Sequence, residues 1–298
     1  MNNIEQKLSL KIYLLLFAII IVWGVNFIMI KISLIDLPPL TLCALRFFFA
    51  GFPAVFFVQL PKDAWGNVVK YGLLTFAVQF ACLFAGINAG VSPGLAALIC
   101  QVQVFFAIFF ACFFAKQTVN SWQIIGAFIS FAGIIVILMH NRSDCSLEGF
   151  LYLLLASIAW GLGNLISVKL SNTNMLSLVV WGSVIALFPI MLIAFYFENP
   201  MSVINNLSKI RTITWAAVAY IVLGSTLFGY GCWSWLLNKY PTGSIAPFSL
   251  LCPIVSFIAS ALYFHETFDK WKLLATILVL IGLVINSFGK KILTSILH

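Results

Sequence analysis

The chain has 298 residues, of which 63% are hydrophobic and 8% are charged, and its formal net charge is +8. Its mean hydropathy of +1.11 excludes a soluble protein, because no soluble core could hide so much apolar surface. The basic residues are scattered near the ends of apolar segments, so they do not indicate a surface that binds nucleic acid. The composition therefore predicts an integral membrane protein.

Segments without Asp, Glu, Lys or Arg recur at the length of about 20 residues that a helix needs to cross a bilayer. The run at residues 71–115 is too long for one span, and the turn signal in residues 88–94 divides it in two. Residues 171–174 separate two further segments in the same way. The pattern predicts an all-α fold with ten transmembrane helices, at about residues 12–34, 39–60, 68–88, 93–115, 121–140, 147–169, 175–197, 213–237, 242–264 and 271–289.

Lysine and arginine are unevenly divided between the two sides of this predicted bundle. Alternate loops place nine of them on the side of the chain ends and six on the other side. Because cytoplasmic loops are enriched in basic residues, this division predicts that both termini lie in the cytoplasm. The first apolar segment is a full span without a cleavage site, so we expect it to be a helix of the bundle rather than a signal peptide.

The two halves of the chain repeat one another. The motif Trp23–Asn26 in the first predicted helix returns 137 residues later as Trp160–Asn164 in the sixth. Each motif places an Asn inside an apolar segment, and a lysine follows that Asn after five residues, at Lys31 and Lys169. Such duplication in a membrane protein is typical of secondary transporters, which bind their substrate where the halves meet.

The duplication assigns five helices to residues 1–142 and five to residues 143–298. Since five is an odd number, the second half enters the membrane from the side opposite to the first. We therefore predict two inverted five-helix repeats around a central cavity, which opens to either side as one half rocks against the other.

Polar side chains within the predicted spans are the candidate binding residues, because a polar group in hydrocarbon is costly unless it has a partner. Asn26 and Asn164 are equally consistent with packing between helices and with the lining of a cavity. Gln79 and Gln101 offer amide donors and acceptors without a fixed charge. Gln103 is two residues from Gln101 on the same helix, so we expect one of the two to face the cavity and the other to pack elsewhere.

In the second half, Tyr230, Trp235 and Ser249 fall at corresponding levels and complete the set of candidates, although aromatic side chains at such positions usually pack in the core. Arg46 lies about seven residues inside the second predicted span, too deep for an ordinary interfacial charge. Either it snorkels to the membrane surface, or it faces the cavity and pairs with a substrate carboxylate or a helix C-terminus.

Acidic residues are missing from the predicted helix centres, since all eight lie at helix ends or in loops. The chain therefore lacks the buried carboxylates that a proton pathway of this kind would need, and a cationic substrate would lack a counter-ion. The chain also has no nucleophile–base set, no phosphate-binding loop and no CxxC pair, so we expect no enzymatic activity, no cofactor and no metal. A zwitterionic or neutral small molecule is the substrate that fits best.

The sequence resembles the EamA-type branch of the drug/metabolite transporter superfamily over essentially the whole chain. The resemblance is supported by Trp23–Asn26, by Arg46 in the second helix and most closely by residues 71–106, with Val78-Gln79-Phe80-Ala81, Gly94-Leu95-Ala96-Ala97-Leu98 and Gln101-Val102-Gln103-Val104-Phe105-Phe106. Within this branch the sequence is most similar to bacterial exporters of O-acetylserine and cysteine. The resemblance implies a permease of the bacterial inner membrane that exports cysteine-pathway metabolites.

One departure from the family pattern concerns the ends of the fourth and ninth helices. The family usually has a Gly-Glu step at both places, whereas this chain has Ala115-Lys116 and His265-Glu266. Only the acid of the second half is kept, so the resemblance implies no salt bridge at the first.

The leading hypothesis is an exporter of zwitterionic amino acids that works by alternating access. Arg46 or a half-helix terminus would hold the carboxylate, and Asn26, Gln79, Gln101 and Asn164 would hold the amine and the side chain. Two alternatives stay open: a transporter of another neutral solute, such as a nucleoside, a sugar or another amino acid, and a membrane scaffold whose polar residues only pack helices. The expected partners are a small-molecule substrate and the lipid bilayer, with no nucleic acid, for a monomer or a homodimer.

Overall fold

The structure is a computed structural model that describes residues 9–115, 120–140, 145–167, 170, 173–198, 209–240, 245–266 and 269–296. Within these ranges the chain forms helices and contains no strand. Nine of the helices found there are long and apolar enough to cross a membrane, and a further, shorter apolar helix covers Phe248–Phe264. The prediction of an all-helical membrane protein is therefore confirmed.

The helices are labelled α1 to α10 in chain order. They are α1 (Leu10–Ser33), α2 (Pro39–Gly51, followed by a 3-10 turn at Ala54–Phe56), α3 (Trp65–Asn88), α4 (Pro93–Cys100 and Gln103–Ala115), α5 (Ser121–His140), α6 (Leu147–Ser167), α7 (Met175–Phe197), α8 (Thr212–Ala219, Tyr220–Tyr230 and Gly231–Lys239 in succession), α9 (a 3-10 segment at Ala246–Leu251, then Cys252–Phe264) and α10 (Lys270–Ile296).

The expected span at residues 242–264 corresponds to the shorter helix α9. In its described part a 3-10 segment at Ala246–Leu251 precedes the regular helix Cys252–Phe264, and residues 242–244 lie outside the described residues. The expected boundary between the halves, at residues 142 and 143, lies outside the described residues. So do Lys116 and Lys169.

The helices of the two halves pack according to the same plan. Helix α1 packs against α8 and α9, and α6, five helices later, packs against α3 and α4. Helix α3 contacts α7, and α8 likewise contacts α2. Three further pairs join helices that are five apart, namely α2 with α7, α4 with α9 and α5 with α10. Each of these contacts recurs when every helix is replaced by its counterpart in the other half.

Counterpart helices run antiparallel where they touch. Between α4 and α9, the Ser256 hydroxyl donates to the Pro93 carbonyl at 3.1 Å, while Gln101 further along α4 contacts Ser249, which lies earlier in α9. Between α2 and α7, Thr41 contacts Glu198 at the end of α7, and Gly51 lies against Val184 near its middle. The residue number rises along one helix as it falls along the other.

Helices α5 and α10 form a close antiparallel pair at the periphery of the bundle. A Cβ atom on Gly126 would meet the carbonyl oxygen of Gly282, and one on Gly282 would meet that of Gly126. Further along the contact, Gly289 lies against the Trp122 ring. Small residues thus let the two backbones approach closely, as is usual between membrane helices.

Candidate functional site

A pocket of about 590 Å³, including the part open to its surroundings, lies where six helices of both halves meet. The pocket lies between α1, α3, α4, α6, α8 and α9. Its lining consists of Trp23, Asn26, Phe27, Gln79, Phe80, Leu83, Ala97, Cys100, Gln101, Trp160, Ser225, Tyr230, Ser249 and Cys252.

Irregular backbone brings several of these residues into the pocket. Helices α3 and α8 each contain a π-helical segment, at Gly72–Val78 and at Tyr220–Tyr230. Gln79 follows the first segment directly, and Tyr230 ends the second. Segments of this kind are rare and occur often at functional sites, and here they occupy corresponding helices of the two halves.

Helices α4 and α9 are interrupted at the level of the pocket. The regular α-helix of α4 stops at Cys100 and resumes at Gln103, and the amides between them make 3-10 bonds, such as Gln101 N–H to the Leu98 carbonyl at 3.1 Å. In α9 the 3-10 segment contains Ser249. The two interruptions touch, since the Gln101 side-chain amide nitrogen donates to the Ser249 carbonyl at 3.1 Å. Interrupted helices of this type form substrate sites in many transporters.

Three of the expected amide residues line the pocket and are almost fully buried. Asn26, Gln79 and Gln101 are 5%, 3% and 5% exposed. The side-chain oxygen of each has no hydrogen-bond partner among the described residues. Buried polar atoms without partners are uncommon in proteins, so these three oxygens point to a ligand.

Arg46 does not reach the membrane surface, since none of it is exposed. Its guanidinium carbon lies 3.8 Å from the centre of the Phe80 ring, with Phe47 and Phe84 at 5.6 and 5.9 Å. None of its three side-chain nitrogens makes a hydrogen bond with the described part of the chain. Arg46 is absent from the lining of the pocket, but Phe80 contacts both, so the charge lies one ring away from the pocket.

Asn164 lies outside the pocket. Its amide nitrogen donates to the side-chain oxygen of Gln103 at 2.6 Å, and neither residue is in the pocket lining. Successive helical residues point about 100° apart, so Gln101 and Gln103 face different neighbours. Of the two glutamines, Gln101 lines the pocket and Gln103 pairs with Asn164.

The aromatic candidates of α8 are divided between the pocket and the surface. The Tyr230 ring lines the pocket and lies 5.3 Å from Trp23 and 5.6 Å from Phe76. Trp235 was expected in the same site, but the structure places it outside: it is 44% exposed, and Lys239 Nζ lies 5.0 Å from its ring. Trp235 follows Tyr230 by five residues, which is almost one and a half helical turns. Its side chain therefore points towards the opposite side of the helix.

Two tryptophans of the repeated motif line the pocket, although we considered only the Asn residues of that motif as candidates. Trp23 and Trp160 hold corresponding places in α1 and α6, and the Trp23 indole donates to the Ser225 carbonyl at 3.2 Å. Their recurrence in both halves was the signal that could have identified them.

One face of the bundle has ionic contacts between the halves. Lys31 pairs with Glu266 at 3.3 Å. Asp36, in the loop after α1, pairs with Arg211 at 2.9 Å and accepts a hydrogen bond from Thr214. The hydrogen bonds from Arg211 and Thr214 lower the pKa of the Asp36 carboxyl below its usual value.

The same face holds a charge-assisted cap between the halves. The Glu198 carboxylate accepts from the Leu40 and Thr41 amides, both at 2.7 Å, at the start of α2.

Among the described residues, no group of three or more His, Cys, Asp or Glu side chains is placed to hold a metal ion.

The sequence matches the model of the EamA-like transporter family twice, over residues 10–139 and over residues 147–288. It is 34% identical to a protein of Escherichia coli strain K12 named "Probable amino-acid metabolite efflux pump", over 95% of this chain and 97% of the relative. The protein of the same name from Salmonella typhimurium strain LT2 is 34% identical over 92% of this chain and 94% of its own length.

A solved crystal structure has a similar fold, with a TM-score of 0.63 over 92% of this chain and 96% of that one. The two sequences are 16% identical, so the likeness concerns the fold alone.

Proposed function

The chain belongs to the EamA-like transporter family, and on that premise we propose that it exports small zwitterionic amino-acid metabolites of the cysteine and O-acetylserine type. It is a multi-pass membrane transporter rather than an enzyme. The proposed location is the bacterial inner membrane, with both termini in the cytoplasm. The names of the two relatives that share 34% of its residues support amino-acid metabolites as the cargo.

The observation that supports a zwitterion is a buried positive charge beside a pocket lined by neutral amides. Arg46 is completely buried and has no hydrogen bond or ion pair among the described residues. An uncompensated charge interacts strongly with other charges in a medium of low dielectric constant. A substrate carboxylate would therefore be attracted, while a purely cationic substrate would be repelled.

The same reasoning explains how a zwitterion could be held without an acidic residue. The described carboxylates lie at helix ends or in loops, and none lines the pocket. A zwitterion brings its own negative charge for Arg46, so its ammonium needs only neutral acceptors. We assign Asn26, Gln79 and Gln101 to this role, with Tyr230 and Ser249 completing the wall of the pocket.

We further propose that the site opens to each side of the membrane in turn. The support is the packing of the halves, residues 1–142 and 143–298 in our division, in which α2 with α7, α4 with α9 and α5 with α10 run antiparallel. Antiparallel counterparts are expected for inverted repeats, whose two halves exchange conformations as access alternates.

Efflux from proteoliposomes tests the proposal. Vesicles with the purified protein are loaded with radiolabelled L-cysteine under reducing conditions, or with O-acetyl-L-serine, and diluted into buffer without substrate. We expect the label to leave faster than from protein-free vesicles. Arg46→Met should remove most of this difference, because it removes the attraction for the carboxylate.

The matched control removes a positive charge from a place remote from the pocket. Lys11→Met changes an exposed residue in the first turn of α1 and should leave the efflux rate unchanged. If both amino acids leave these vesicles no faster than they leave protein-free vesicles, this substrate class is excluded. Efflux of a nucleoside or a sugar in the same vesicles would then favour another neutral solute.

A further inference from the structure

The three unpartnered amide oxygens in the pocket come from three different helices. Asn26 lies on α1, Gln79 on α3 and Gln101 on α4, and each is at least nine-tenths buried. The atoms without partners are Asn26 Oδ1, Gln79 Oε1 and Gln101 Oε1. All three atoms are hydrogen-bond acceptors, and the residues that carry them line the same pocket.

The orientation of the Gln101 amide is fixed by its nitrogen. Gln101 Nε2 donates to the Ser249 carbonyl at 3.1 Å, which leaves its Oε1 free for another contact. Gln79 and Asn26 line the same pocket, and the side-chain oxygen of each has no partner among the described residues. The acceptor role of Gln101 is therefore determined by the surrounding protein rather than by the choice of amide flip.

We propose that these oxygens form a subsite that recognises the primary ammonium group of the substrate through its three N–H donors. This inference rests on the proposed function and specifies which part of the cargo the site selects. A primary ammonium has three donors and no acceptor, as in a lysine side chain. Three acceptors carried by three different helices of one pocket match its three donors in number, and each hydrogen bond to the charged group is stronger than one between neutral partners.

Two other classes of ligand, a quaternary ammonium and a metal ion, would give the pocket a different specificity. Aromatic rings can hold a quaternary ammonium through cation–π contacts, and Trp23, Tyr230 and Trp160 line this pocket. That arrangement needs no acceptors, so it would leave the three oxygens unpaired at a cost. A hard metal ion needs a fuller shell of oxygen ligands than three. The ammonium subsite predicts selection by the number of N–H groups.

A series of analogues with graded N-methylation tests this prediction. The probes are S-methyl-L-cysteine and its N-methyl, N,N-dimethyl and N,N,N-trimethyl forms, each competing with radiolabelled L-cysteine for transport by the full-length protein in liposomes. All four keep the positive charge and the carboxylate, while each step removes one donor and adds one methyl group; the glutamine variants below separate the loss of donors from the added bulk. We expect the concentration for half inhibition to rise roughly ten-fold for each N–H removed, which corresponds to about 1.4 kcal/mol per hydrogen bond.

Gln101 and Gln103 are two residues apart and provide a matched pair of variants. Gln79→Met and Gln101→Met each remove one acceptor. Each should therefore reduce the ratio of the half-inhibiting concentrations of the trimethyl and parent compounds by about ten-fold. Gln103→Met removes a glutamine that pairs with Asn164 outside the pocket. It should leave this ratio unchanged even if the protein becomes less stable, because the ratio does not depend on the amount of folded protein.

The outcomes separate the subsite from the proposed function. If amino acids compete and the trimethyl form competes as well as the parent, the subsite is wrong while the exporter proposal stands. If transport of L-cysteine depends on sodium and not on N-methylation, the oxygens bind an ion and the subsite is again wrong. If no amino acid is transported or competes, both proposals fail.

Discussion

Lys31 at the end of α1 forms a salt bridge with Glu266 just beyond the end of α9, and this pair joins the first half of the chain to the second. The side chains are 35% and 17% exposed, and Lys31 Nζ also lies 4.5 Å from the centre of the Phe264 ring. Asp36 with Arg211, and Glu198 with the start of α2, join the halves on the same face. These contacts join the two halves on that face.

Breaking the Lys31–Glu266 pair should change the rate of transport more than the stability of the fold. Glu266→Gln should cost less than about 1 kcal/mol, since partly exposed ion pairs contribute little. If opening of this face limits the cycle, efflux should rise a few-fold. The exchanged pair Lys31→Glu with Glu266→Lys should restore the original rate. Single and double variants that all transport alike would contradict a role in closure.

Loss of the Glu198 carboxylate should destabilise the protein. Glu198→Ala removes the acceptors of the Leu40 and Thr41 amides at the start of α2, and such a cap is worth about 0.5–2 kcal/mol. The expected result is a lower midpoint of thermal unfolding in detergent, followed by tryptophan fluorescence. Glu148→Ala, an exposed acid in the first turn of α6, is the control and should change the midpoint much less.

Removal of the Arg46 charge should separate stability from activity. Arg46→Met replaces a buried cation without a hydrogen bond to the described residues by an apolar side chain, which removes the cost of keeping that charge out of water. We expect an unchanged or higher unfolding midpoint together with loss of efflux. Arg46→Lys keeps the charge but not the planar contact with Phe80, so we expect intermediate efflux. A large loss of stability in Arg46→Met would mean that the guanidinium is structurally required.

The contact between α5 and α10 should not tolerate a side chain. Gly126→Ala places a Cβ against the backbone of Gly282, and overpacking of this kind costs about 1–3 kcal/mol. Gly66→Ala is the matched control, because its Cβ would meet nothing within 4 Å. We expect a lower unfolding midpoint for the first variant and an equal or higher one for the second. Equal midpoints in the two variants would argue against the close approach of the helices.

Acid should weaken the contact between Asp36 and Arg211. The folded-state pKa of Asp36 is lowered, so the contact stabilises the protein above the unfolded pKa, near 3.8, and this contribution is lost as the pH falls through the folded pKa. Asp36→Asn should be less stable than the parent protein near neutral pH. The difference should shrink below about pH 4, which unfolding midpoints at several pH values would show. A difference that is constant with pH would exclude this cause.

The sequence was sufficient to predict the class of fold because spanning length and apolar composition depend on the bilayer rather than on details of packing. It was not sufficient to place both Asn residues of the repeated motif. The turn at residues 92–96 aligns with residues 242–246 at an offset of 150, so Gln103 corresponds to Pro253. Asn164 therefore has a glutamine as its partner, whereas proline offers Asn26 no side-chain donor or acceptor.

Trp235 was wrongly included because it was chosen by its depth in the span alone. It lies five residues after Tyr230, and the regular helical period turns its side chain towards the opposite side of α8. A π-helical segment has more residues per turn than an α-helix, so side-chain directions across such a segment do not follow a regular period. Tyr230 ends such a segment in α8. The π-helical segment before Gln79 in α3 was equally invisible, although Gln79 itself was identified by its polarity.

The side chain of Gln101 has two ends with different attachments. Its nitrogen holds the main chain of α9 in the opposite half, at Ser249, while its oxygen faces the space between the halves. A displacement of α4 from α9 at this level would lengthen the hydrogen bond to Ser249. A ligand that forms a hydrogen bond with the oxygen would restrain the same side-chain amide. If the proposed site and movement are correct, substrate binding and the separation of α4 from α9 both act on this one planar amide, so we expect the two to be coupled there.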